Sequence, residues 1–183
     1  TTRLIAQMHK AITIIQFKLE GEIIRRRPEF EMDDRMLLHH IDLKRGVVHI
    51  DGKDYMLKDT NWPTLDPKDP YRLSIEEEDL IRKILHSFES SEKMKKHMRC
   101  FFRHGGMYQV CNSNLLFHAS IPMNPDGTFK SVRILGQDYK GRALLDRVDQ
   151  LIRTAYFKTG EQEEVEYAHD YIWYLWSTSC WNS

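Results

Sequence analysis

Apolar residues recur at three- and four-residue spacing through Leu4, Ile5, Met8, Ala11, Ile12, Ile15 and Leu19. That pattern predicts an amphipathic helix with one broad buried face. Arg25-Arg26-Arg27 precedes Pro28, and a proline pushes the residue before it out of helical geometry. The helix is therefore expected to end near Gly21, or no later than the basic run. Met32 to Ile41 reads as a short helix with Met36, Leu37 and His40 inward. Val47-Val48-His49-Ile50, then Asp51-Gly52, then Lys53 to Leu57 is a hairpin signal, because the primed turn needs positive φ at both central positions. His49 falls on a strand face. Pro63, Pro67 and Pro70 mark a loop over 61–70, with Trp62 as its plug to the core.

Ser74 and Glu77 have the spacing of a capping box. A helix follows with Leu80, Ile81, Ile84, Leu85 and Phe88 on its apolar side. Its first turn carries Glu76 to Asp79, which complement the positive helix end. A second helix from Ser91 to about Arg103 is expected to stop at Gly105-Gly106 through a left-handed glycine. Met107 to Cys111 and Leu115 to Ser120 are predicted as neighbouring strands around Asn112-Ser113. The run Asn114-Leu115-Leu116-Phe117-His118 reads as a buried sheet strand that delivers a histidine at its carboxyl end, before Pro122 stops regular pairing. Asn124-Pro125-Asp126-Gly127 is a turn, and Val132 to Leu135 another short strand. A long helix from Gly141 carries Leu144, Leu145, Val148, Leu151, Ile152 and Ala155 at helical spacing. The last segment, Glu161 to Trp176, is acidic first and aromatic last.

Composition narrows the functions. Lysine plus arginine and aspartate plus glutamate each number 27 in a chain of 183 residues, so no net positive field is present to hold nucleic acid or an anionic membrane. No apolar run approaches the length needed to cross a bilayer. Cys100, Cys111 and Cys180 are few, odd in number and irregularly spaced, which suits reduced thiols and a cytoplasmic location.

Several constellations could carry chemistry, each with a plainer alternative. His97, Cys100 and His104 could share a helix face and bind zinc, but no fourth ligand is fixed and the flanks are basic. Tyr171, Trp173, Tyr174, Trp176 and Trp181 could stack a ring, although aromatics at helical spacing more often fill a core or a subunit contact. Arg25-Arg26-Arg27 could hold phosphate or pair with Glu29, Glu31, Asp33 and Asp34. On its local pattern alone His118 fits a core or surface histidine at least as well as a ligand. There is no glycine-rich phosphate loop, Gly-x-Ser-x-Gly elbow or His-Glu-x-x-His pair.

Four blocks, in order, resemble the middle portion of class III fructose-1,6-bisphosphatases, bacterial enzymes related to calcineurin-like metallophosphoesterases. They are His9-Lys10-Ala11-Ile12 through Gln16-Phe17-Lys18-Leu19-Glu20 with Ile24 and Arg26-Arg27-Pro28; Asn114-Leu115-Leu116-Phe117-His118 with Ile121-Pro122; Gly141-Arg142 with Leu144-Leu145-Asp146; and Trp173-Tyr174-Leu175-Trp176. The resemblance implies two-metal hydrolysis of fructose 1,6-bisphosphate with a binuclear Mn2+ centre. It makes His118 a metal ligand and leaves no catalytic residue within this chain. The superfamily's Asp-x-His, Gly-Asp-x-x-Asp and Gly-Asn-His-Asp/Glu blocks are absent, and its glycine after the strand-end histidine is Ala119 here. His104-Gly105-Gly106 imitates a His-Gly-Gly block but falls before the strand.

The expected fold is α+β, a fragment of an α/β metallophosphoesterase domain. Residues 1–106 would form a mainly helical insertion with a small β-hairpin, and 107–183 a partial core with the His118 strand and two helices. Such a fragment would be inactive alone and hold manganese poorly. Arg103, Arg133 and Arg142 are candidates for substrate phosphate, because guanidinium matches phosphate oxygens by paired hydrogen bonds, though each suits a surface ion pair as well. A homo-oligomer is left open. The competing reading is a non-catalytic interaction module that uses the amphipathic first helix and the aromatic last one.

Overall fold

The computed structural model describes residues 2–117 and 120–177. They form two compact units, divided between Ser90 and Ser91.

In the first unit α1 spans Thr2–Arg26 and stops where Pro28 requires it. The buried face is shorter than the spacing predicts. Ile14, Ile15, Lys18, Glu20, Gly21 and Ile24 are buried, whereas Leu4, Ile5, Met8, Ala11 and Ile12 are exposed. Periodicity marks a face without saying which of its turns has a neighbour. Met32 to Ile41 is not an α-helix but two 3-10 turns, Asp33–Arg35 and Leu38–His40. Leu38 is the buried residue, and His40 points to solvent.

β1 (Ile41–Asp42), β2 (Val47–Ile50) and β3 (Lys53–Met56) form an antiparallel sheet in that order. The β2–β3 turn has Asp51 and Gly52 at φ 50° and 75°, the left-handed pair that a primed turn demands. Trp62, Phe17, Met36, Ile41 and Leu43 pack around Leu38, Leu65 and Tyr71. Gly21 is required here, because a Cβ at that position would lie 2.0 Å from the Tyr71 ring. α2 (Ile75–Ser90) starts from the predicted capping box: the Glu77 amide donates to Ser74 Oγ at 3.3 Å, and the Ser74 amide donates to Glu77 Oε2 at 2.7 Å. Its apolar side is largely open, with Leu80, Leu85 and Phe88 exposed.

The second unit opens with α3 (Glu92–His104), capped by Ser91 Oγ accepting from the Met94 amide at 3.3 Å. α3 belongs here because Phe102 stacks near Tyr156 and Phe157 and Arg153 donates to the carbonyls of Phe102 and Gly105. The helix does not end through a left-handed glycine, since Gly105 is extended at φ −96°. The arginine satisfies those carbonyls instead. β4 (Tyr108–Cys111) and β5 (Asn114–Phe117) form an antiparallel hairpin, and β6 (Val132–Ile134) pairs with β7 (Gln137–Tyr139) through a Leu135-Gly136 turn. α4 (Gly141–Phe157) packs on α5 (Gln162–Ser177). Leu144, Val148, Leu151 and Ala155 are buried on α4, and Val165, Ala168 and Tyr171 on α5. The architecture is mixed helix and small antiparallel sheet, compatible with α+β.

Candidate functional site

The strand-end segment is built by two turns. Asn112 and Ser113 both take left-handed φ, 50° and 64°, and fold β5 back on β4. β5 is a strand as predicted, but it is not a buried sheet strand: Asn114, Leu115, Leu116 and Phe117 are all exposed. A two-stranded ribbon covers neither face of a strand, so an apolar run does not bury itself. His118 and Ala119 lie outside the described residues.

Beyond them the chain is held firmly. Pro122 is fully buried and its carbonyl accepts from the Lys130 amide at 3.0 Å. The predicted turn closes as the Asn124 amide donates to the Thr128 carbonyl at 2.8 Å and the Gly127 amide to the Asn124 carbonyl at 2.9 Å. Asp126 accepts from both the amide and the hydroxyl of Thr128. The base of the ribbon meets the start of α4, where the Tyr108 hydroxyl donates to Asp146 Oδ1 at 2.9 Å.

Arg142 lies beside this contact, its guanidinium 5.9 Å from the Tyr108 ring and 3.5 Å from Asp146 Oδ2. Tyr108 first, and Asp146 after it, raise the Arg142 pKa above its ordinary value. Arg133 stands on β6 and Arg103 in the last turn of α3, both exposed. The three arginines thus sit on three separate elements. His97, Cys100 and His104 are all exposed on α3. Among the described residues no group of three or more His, Cys, Asp or Glu side chains could hold a metal ion. The described residues therefore do not supply the ligand set that a binuclear metal centre needs.

The sequence pattern missed the most buried polar assembly. Lys18 is fully buried on α1, where its ammonium donates to Glu77 Oε2 at 2.7 Å and to the Thr64 carbonyl at 2.6 Å. Burial acts to raise the Glu77 pKa. Hydrogen bonds from Lys18, Thr64 and the Ser74 amide, with the Lys18 charge, outweigh it and hold the carboxyl below its ordinary value. The available signal was a lysine three residues after Ile15 and four after Ile14, inside the apolar stripe. A cleft of about 350 Å³ lies nearby in the same unit, lined mainly by Leu38, Ile41, Leu43 and Leu65, with His39 and Lys44 among its polar groups. Tyr71 faces His39 Nδ1 at 2.8 Å, and burial, then His40 and Arg25, lower the His39 pKa.

The amino-acid sequence matches one family along nearly the whole chain. The chain belongs to the family described as Firmicute fructose-1,6-bisphosphatase, whose model matches residues 1–182. The individual proteins it resembles carry the name fructose-1,6-bisphosphatase class 3. One from Parabacteroides distasonis is 99% identical over 176 residues, covering 96% of this chain and 26% of the relative. One from Bacteroides fragilis is 65% identical, with the same coverage of each. One from Clostridioides difficile is 51% identical over 177 residues, covering 97% of this chain and 27% of the relative. The chain thus spans about a quarter of the length of the curated relatives it matches. No solved structure matches it. No helix among the described residues is long and apolar enough to cross a membrane.

Proposed function

We propose that this chain is a segment of a bacterial enzyme that hydrolyses fructose 1,6-bisphosphate to fructose 6-phosphate and phosphate in gluconeogenesis, in the cytoplasm. The observation that carries the reading is the family match over residues 1–182, joined to relatives of that name of which the chain covers about a quarter. Residues 1–106 are read as an insertion and 107–183 as part of a metallophosphoesterase core, with α3 packed against the latter. The enzyme's divalent metals, read as a manganese pair, would polarise the phosphoryl group and supply a hydroxide at neutral pH. Most of their ligands would come from outside these 183 residues. His118 is the ligand assigned to this segment, and Arg103, Arg133 and Arg142, the last held by Tyr108 and Asp146 at the ribbon base, are the phosphate candidates.

Two measurements test this. The longer protein should release phosphate from fructose 1,6-bisphosphate, and this chain alone should not; manganese-dependent release by this chain alone would overturn the assignment of an incomplete site. In the longer protein His118→Ala should lower kcat by about 10²-fold or more and reduce bound metal measured by elemental analysis. Unchanged metal content and activity would remove His118 from the site. The competing interaction-module reading draws on exposed Leu4, Met8 and Trp176, but an incomplete segment exposes such residues equally.

A further inference from the structure

The exposed part of α1 has a spacing that specifies its cover. Ile5, Met8, Ile12, Ile15 and Leu19 are separated by three, four, three and four residues, the alternation of a helix-to-helix seam. The two ends of this seam differ. Ile15 is 3% exposed within the first unit, whereas Ile5, Met8 and Ile12 are 51%, 61% and 45% exposed, with Leu4 beside them at 60%. The far side of the same turns is already in use. Lys10, opposite the seam, pairs with Asp59 Oδ2 at 2.6 Å and also donates to the Asn61 carbonyl. The 59–61 loop therefore anchors the back of the helix and leaves the seam outward.

We propose that the Leu4-Ile5-Met8-Ile12 face receives a helix from the part of the longer polypeptide outside these 183 residues. The proposal rests on the reading of this chain as a segment. A stripe of alternating three- and four-residue spacing supplies the ridges that fit the grooves of another helix. The bare residues continue a seam whose other end is already packed at Ile15. About three-quarters of the relatives' length lies outside this chain, so a helix in the same polypeptide is available at high effective concentration. A second copy of the chain is the poorer occupant, because a stable contact between copies needs roughly 800 Å² per partner, well beyond what four partly exposed side chains present.

The test uses the longer protein carrying Met8→Cys, and separately Ile12→Cys so that one perturbing substitution cannot decide the result. The rate at which a small thiol reagent modifies the introduced cysteine is read by peptide mass spectrometry, in the native protein and in denaturant. The expected result is modification at least about tenfold slower in the native protein at both positions, unchanged over a hundredfold dilution. Native rates equal to the denatured rates at both positions would overturn the proposal. Protection that disappears on dilution would also overturn it, by showing that a second copy provides the cover. Phosphate release by the unsubstituted longer protein is measured beside it. A protein that is active with both thiols open defeats the helix seam alone. One that is inactive with both protected defeats the functional reading and leaves the seam standing.

Discussion

Replacing Lys18 by methionine isolates the buried ion pair, because methionine keeps the packing of the aliphatic stem and removes the charge. In the native protein the ammonium meets Glu77 Oε2 at 2.7 Å and the Thr64 carbonyl at 2.6 Å, with Lys18 fully buried and Glu77 only 7% exposed. Removing one partner of such a pair leaves an uncompensated buried charge and costs about 3–5 kcal/mol. Here the Ser74 amide and the start of α2 still face the carboxylate, which offsets about 1 kcal/mol. The loss of a donor at Thr64 adds back an amount of the same order.

The net expectation for Lys18→Met at pH 7 is about 3–5 kcal/mol, measured by urea denaturation followed by circular dichroism. Its pH dependence has a definite sign. The Glu77 pKa is depressed in the folded protein, so its contribution is complete above the ordinary carboxyl value of 4.5 and is lost as pH falls through the depressed value. Without Lys18, burial dominates and the pKa rises, so the deficit of the variant should shrink as pH falls toward 4.5 and below. Adding Glu77→Leu should recover all but the capping-box contribution of about 1 kcal/mol. A single-variant loss under about 1 kcal/mol, a pH-independent deficit, or a double variant no better than the single one would refute this account.

Gly21→Ala would force a Cβ to within 2.0 Å of the Tyr71 ring and push away a side chain whose hydroxyl accepts from the Leu38 amide at 3.1 Å. It should cost about 3 kcal/mol in the same denaturation experiment, the upper range for overpacking. Arg153→Ala removes donors to the Phe102 carbonyl at 2.7 Å and the Gly105 carbonyl at 3.1 Å. It should cost about 1–2 kcal/mol and speed amide exchange in the last turn of α3; unchanged exchange there would show that the cap does not depend on the arginine.

What was legible in the sequence was local. Asp51-Gly52 and Asn112-Ser113 announce their turns through residues that tolerate left-handed backbone, and both pairs take it. Ser74 and Glu77 announce α2 because both groups of the capping box lie within one turn. The Leu135-Gly136 turn passed unnoticed because β7 is only Gln137–Tyr139 and largely exposed, with no apolar alternation to mark it. The pairing of Lys18 with Glu77 was out of reach because 59 residues separate them and periodicity cannot name a distant partner. The proposed metal site is illegible for the same reason: a ligand set that the proposal gathers from separate segments cannot be read from one histidine.

The conflict between the β5 pattern and its surroundings has a physical resolution that can be measured. Leu115, Leu116 and Phe117 are consecutive apolar residues, so both faces of the strand are apolar, yet they are 48%, 53% and 43% exposed. Strands of that composition are stable where both faces are covered, and alternation is expected where one face meets water. A two-stranded ribbon also leaves one edge of β5 without a ladder partner among the described residues. If residues 107–183 are part of a larger core, both the faces and that edge are completed by the rest of the polypeptide. Amides of Asn114–Phe117 that β4 does not bind should then exchange at least about tenfold more slowly in the longer protein than in this chain alone. Equal exchange in the two would mean that the apolar run is a surface ribbon in both, and would remove the ground for proposing His118 at the end of a core strand.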